Sequence, residues 1–180
     1  MSDLFGIGIP EQWTRVVLDY MKNNPWHRFY LLTKQPQNLI KWSPFPENCF
    51  VGVTATNELM FQEAAEFLLS VKASIKYISF EPLLEWAVKD YLYSTEELLK
   101  AAGISWIIIG AMTCSGGDLA KSSSQFPELT PKPFGNRYVL LPKIEWVKKI
   151  VNAADKAGVA VFLKDNLRSL VGDNLRQELP

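Results

Sequence analysis

Seven polar residues stand at the ends of apolar runs in this chain. Thr33 and Lys34 follow Phe29-Tyr30-Leu31-Leu32, and Thr54 follows Cys49-Phe50-Val51-Gly52-Val53. Glu81 follows Ile75 to Phe80, and Lys164-Asp165-Asn166 follow Val159 to Leu163. Together they offer ammonium groups, carboxylates, hydroxyls and an amide, enough for an anion site, an ion-pair network or a proton donor and acceptor. Residue type alone does not choose among these. Glu81 could simply pair with a lysine, but strand-end carboxylates of parallel α/β folds commonly face the cleft, which favours ligand contact. Lys34 and Lys164 could equally be solvated. Thr54 and Thr56 are best read as caps of the helix that follows, and Asp165-Asn166 as the start of a helical turn.

Such tips converge only if the runs that carry them are parallel neighbours. Five runs read as strands: Arg28 to Lys34, Cys49 to Thr54, Ile75 to Phe80, Trp106 to Gly110 and Val159 to Leu163. They are nearly continuously apolar, which implies burial on both faces and a parallel sheet covered by helices. Helices fit between most of them. Pro10 opens one, with Trp13, Val16, Val17 and Tyr20 on a single face, and Asn23-Asn24-Pro25 stops it. Asn57 is placed to cap a second, whose inner face is Phe61, Ala64, Ala65 and Leu68. Ser94 and Glu97 have the spacing of a capping box, Gly103 suits the helix end, and Pro142 to Gly158 carries Val147, Ile150, Val151 and Ala154. The order is that of an α/β protein, and periodicity fits both an open doubly wound sheet and a segment of a (β/α) barrel. Residues 111–141 break the rhythm. With Ser115-Gly116-Gly117, Ser122-Ser123-Ser124 and several prolines, the segment reads as a functional lid or a disordered insert in a single domain spanning 1–180.

Other chemistries are excluded. The chain has 180 residues, 19 basic and 19 acidic, so a broad electrostatic attraction to nucleic acid or anionic membrane is not expected. Its two cysteines, Cys49 and Cys114, sit in unrelated contexts and its one histidine, His27, cannot complete a metal centre, so no metal site is expected. Gly116-Gly117 lacks the lysine of a phosphate loop, and there is no GxSxG, HExxH, CxxC or dinucleotide fingerprint. His27 reads as a surface residue. Trp42 and Trp86, in polar loops, could stack on a base or ring. No run is apolar and long enough to cross a membrane, no signal peptide is apparent, and a cytoplasmic location is expected.

The ordered segments MSDLF, FYLLTKQPQNL, VGVTATN, YISFEPLL, WIIIGAMT and VFLKDNLRSLVGDNLRQELP resemble a phage-associated, radical-SAM-like protein family of unknown function. That resemblance implies a partial TIM-like barrel, its five parallel strands corresponding to the later strands, with S-adenosylmethionine and a [4Fe–4S] cluster as the cofactors of the full-length family. A cluster of this kind needs three closely spaced thiolates. Cys49 and Cys114 are far apart, and Cys49, at the start of an apolar strand, reads as a buried structural thiol. The expectation is therefore a C-terminal barrel portion that contributes Thr33, Lys34, Thr54, Glu81, Lys164, Asp165 and Asn166 to an S-adenosylmethionine or substrate pocket. It would hold no cofactor and catalyse nothing alone. Its partner would be a missing N-terminal half-barrel or a second copy joined through open sheet edges. The alternative is a non-catalytic binding module of a phage or mobile-element system.

Overall fold

The computed structural model describes residues 3–86 and 93–180. Met1 and Ser2 of the MSDLF segment lie outside them. All five expected strands are present, as β1 (Phe29–Thr33), β2 (Cys49–Thr54), β3 (Ile75–Phe80), β4 (Ile104–Ile109) and β8 (Ala160–Leu163). They form one sheet in the order β1-β2-β3-β4-β8, and every pairing is parallel. The order never reverses. Parallel crossovers are right-handed as a rule, so a sheet that advances in one direction collects its helices on one face. This separates the two architectures that periodicity left open: the sheet is singly wound. It is also open, and no closed barrel is formed.

The helices follow local rules. In α2 (Glu58–Leu69), Asn57 accepts a hydrogen bond from Met60 N–H. In α3 (Thr95–Ala101), Ser94 and Glu97 form the complete reciprocal capping box. Gly103 and Gly158, just past α3 and α5 (Ile144–Ala157), have φ of 64° and 71°, which explains glycine at both ends. Phe61, Ala64, Ala65 and Leu68 of α2, Leu99 of α3 and Val147, Ile150 and Ala154 of α5 share one core with Val51, Ile78, Phe80, Ile107, Ile109 and Val161 of the sheet. Trp86 belongs to this core at 1% exposure, packed on Phe61 and Phe80, so it is not a stacking platform.

α1 (Glu11–Lys22) differs from that pattern. It buries Thr14 and Met21, while Trp13, Val16 and Tyr20 are 59%, 68% and 60% exposed. Cys49 is fully buried with Sγ 3.6 Å from Met21 Sδ, and burial raises its thiol pKa, as a structural thiol requires.

Of the two expectations for residues 111–141, the disordered insert does not hold. These residues fold as β5 (Met112–Cys114), α4 (Leu119–Gln125), β6 (Thr130–Phe134) and β7 (Arg137–Leu141), an antiparallel sheet of order β5-β7-β6. Val139, Leu140, Leu141 and Leu129 anchor it to the main core. The short apolar run of β7, Tyr138 to Leu141, is masked in the sequence by the prolines and serines around it.

The sheet face opposite the helices carries Phe50, Tyr77 and Trp106, with Ile108 and Phe162 beside them. Tyr77 lies across Gly52 and donates its hydroxyl proton to Leu31 O at 3.0 Å. A Cβ on Gly52 would meet the Tyr77 ring at 2.2 Å. Gly52→Ala should therefore lower the urea unfolding free energy by about 1–3 kcal/mol, as overpacking of a filled site does. Shrinking the ring, in Gly52→Ala/Tyr77→Leu, should recover part of that loss relative to the sum of the two single changes.

Candidate functional site

Because the strands are parallel, their carboxyl ends form one rim, the place where α/β folds assemble binding sites. All seven expected residues lie at or just past these ends. They do not form one cluster.

Glu81 and Lys164 meet directly, with Oε1 and Nζ 2.5 Å apart and side-chain exposures of 29% and 46%. Their strands, β3 and β8, are not neighbours, since β4 lies between them. The ion pair therefore arches over the end of β4, at Gly110. A Cβ there would lie 3.0 Å from Glu81 Oε1 and 3.1 Å from Lys164 Cδ, so the missing side chain makes room for the arch. Ser79, one pleat below Glu81, donates its hydroxyl proton to Glu81 Oε2 at 3.1 Å. Tyr77 is next along the same face. Burial raises its phenol pKa well above the ordinary value, with the nearby Tyr30 and Glu81 adding to the effect.

Asn166 works on the backbone. Its amide receives Ala111 N–H at 3.1 Å and donates to Ala111 O at 2.8 Å, fixing the exit of β4 against the turn after β8. Asp165 is exposed and pairs with Arg168, at the start of the helical turn expected there.

At the other side of the rim, Lys34 and Thr54 line a cleft of about 250 Å³ with Gln35, Gln37, Met60 and Glu63. Thr33 is 1% exposed and has no free hydroxyl function. It donates to Asp3 Oδ2 at 2.7 Å and accepts from Gln35 N–H at 2.9 Å. Asp3 also receives Lys34 N–H and Phe5 N–H, so Thr33 is part of a turn-fixing network. Thr54 and Thr56 do not cap α2. Asn57 has that role, and Thr56 directs its hydroxyl to Met60 Sδ. No side-chain hydrogen bond or ion pair among the described residues links this cleft to the Glu81–Lys164 arch.

Asp3, Ser79 and Gly110 are the rim residues that residue type did not single out as ligand contacts. Ser79 and Glu81 share a strand face by their spacing of two, a signal present in the sequence. The reach of Asp3 across the fold left none.

A larger cleft of about 690 Å³ lies at the amino ends of β1 and β2, lined by Lys22, Arg28, Pro44, Phe45, Glu47 and Phe50. None of the strand-tip residues reaches it, so the rim remains the better candidate. Among the described residues, no group of three or more His, Cys, Asp and Glu side chains could hold a metal ion. No described helix is long and apolar enough to cross a membrane.

The family described as "Protein of unknown function (DUF5131)" matches residues 1–123 of the 180. The chain belongs to this family. The matched region carries β1 to β5 and Glu81, whereas Lys164, Asp165 and Asn166 lie beyond it. No curated protein and no solved structure matches the DUF5131 chain.

Two outcomes are expected. Asn166→Ala leaves the Ala111 N–H and C=O, in a residue 7% exposed, without their partner. It should cost roughly 1–3 kcal/mol in urea unfolding. Away from the rim, Glu58 is 8% exposed with Oε2 unpaired. Burial raises its pKa above 4.5, against the opposing charge of Lys149. The folded chain then holds this proton to higher pH than the unfolded chain, so stability falls as pH rises through that window. Glu58→Gln should flatten the decline, measured as urea midpoints across the acid-to-neutral range.

Proposed function

We propose that the Glu81–Lys164 arch is the polar end of a binding pocket for a zwitterionic, amino-acid-bearing cofactor of the S-adenosylmethionine type. The supporting observation is the ion pair itself. It is a carboxylate and an ammonium held side by side, half open to solvent, at the carboxyl rim of a parallel sheet. A bound α-amino acid presents the same two charges in opposite order. Lys164 would take its carboxylate and Glu81 its ammonium, each with the charge-assisted bonds that the two now make to one another. Ser79 keeps Glu81 aimed, and Gly110 leaves the space. The resemblance to radical-SAM-like proteins and the parallel, singly wound sheet agree with this reading.

The [4Fe–4S] cluster is a different matter, because the donor set does not fit it. Cys49 and Cys114 are both buried, one at the start of β2 and the other in the antiparallel insert. No redox step is therefore assigned to residues of this chain. The chain contributes to a pocket and is not a competent radical enzyme by itself. A second reading, a non-catalytic binding module, gains support from the exposed apolar stripe of α1.

Titration calorimetry with S-adenosylmethionine discriminates the two. Saturable binding is expected, weakened about tenfold or more in Glu81→Gln and in Lys164→Ala, since each loses a charge-assisted bond. Absence of binding at millimolar ligand, or equal affinity in both variants, would overturn the pocket and leave the binding-module reading.

A further inference from the structure

The chain treats the two edges of its five-stranded sheet differently. Along β8, the C-terminal segment runs antiparallel, with Leu163 N–H donating to Arg176 O at 2.7 Å and Glu178 N–H to Val161 O at 3.0 Å. Trp106 Nε1 adds a bond to Glu178 O at 2.9 Å. That edge is sealed. Among the described residues, no strand pairs with the outer edge of β1.

Phe29 N–H donates to Asn48 O, so odd-numbered residues of β1 turn their backbone groups toward β2. The even-numbered Tyr30 and Leu32 turn theirs outward. Lys34, next in that series, already has its N–H bound by Asp3. Two N–H and two C=O groups of an apolar strand thus have no partner among the described residues, a template for strand addition.

We propose that two copies of this chain associate through β1 across a two-fold axis, extending the sheet without a break. The pattern of outward groups fits itself. Antiparallel alignment of Tyr30 with Leu32 of the second copy, and the reverse, makes two hydrogen-bonded pairs and uses all the free groups of both strands. The axis passes beside Leu31.

The surface around β1 adds apolar area to such a contact. Tyr20, Trp26 and Tyr30 are 60%, 72% and 52% exposed, and Leu32 is 42% exposed. Tyr20, Phe29, His27 and Trp26 form a continuous chain of ring contacts with centroids 6.1–6.3 Å apart. At 150–250 Å² per large aromatic, these three rings alone leave roughly 350 Å² open, a good part of the ~800 Å² that each partner buries in a standard interface. The formal net charge is zero, so two copies meet without net repulsion. One sealed edge and one open edge limit growth of this sheet to two copies. A second copy is therefore the occupant that the surface fits.

Analytical ultracentrifugation of the full chain at micromolar concentration tests this, with hydrogen exchange as the second readout. The expected result is a dimer whose Tyr30 and Leu32 amides are protected and become exchangeable on dilution. Leu32→Lys, which puts a charge on the edge, should raise the dimer dissociation constant at least tenfold while far-UV circular dichroism is unchanged. Tyr20→Lys, outside the strand, makes the same test if Leu32→Lys fails to fold. A monomer under these conditions overturns the proposal. So does a dimer whose Tyr30 and Leu32 amides exchange freely, or one that persists in both variants. S-adenosylmethionine binding is scored separately, so failure here leaves the rim reading standing.

Discussion

A right-handed parallel crossover can set its helix on only one side of a sheet, and in this chain every crossover advances in the same direction. The other features follow from that constraint. One face of the sheet is packed under α2, α3 and α5, while the opposite face is left to Phe50, Tyr77 and Trp106. These large rings cover one another and cover Gly52 instead of being covered by helices. Because all strands point the same way, the polar residues at their ends share one rim, and two strands that never touch can place a carboxylate and an ammonium in contact.

That rim also shows how a glycine acts at a distance from any turn. Gly110 neither reverses the chain nor adopts positive φ. Its role is the close passage of the Glu81 and Lys164 side chains above it. Gly52 does the same on the sheet face, beneath Tyr77. In both places the backbone of a middle strand is the floor across which a side chain from one flanking strand reaches the other.

Much of this was legible in the sequence. The five strands, the Asn57 cap, the Ser94–Glu97 box and the glycines after α3 and α5 are local signals, and local physics determined them. The architecture needed strand order, which is not written in periodicity. The order of residues 111–141 was not legible, because it comes from Leu129, Val139, Leu140 and Leu141 docking on a distant core. The same applies to the rim. Thr33 and Asn166 are polar strand-end residues by type, but long-range bonds to Asp3 and Ala111 make them fasteners. Trp86, in a polar loop by sequence, is core by packing.

The late residues of the chain hold a disproportionate share of the closing contacts. Lys164 completes the arch, Asn166 clamps Ala111 across 55 positions, and residues 176–178 seal β8. During vectorial synthesis β1 to β4 leave the ribosome first, whereas the rim stays unfinished until residues 164–178 have emerged. The nascent chain would thus pass through a stage with two bare sheet borders, the interval in which a chaperone has most to shield.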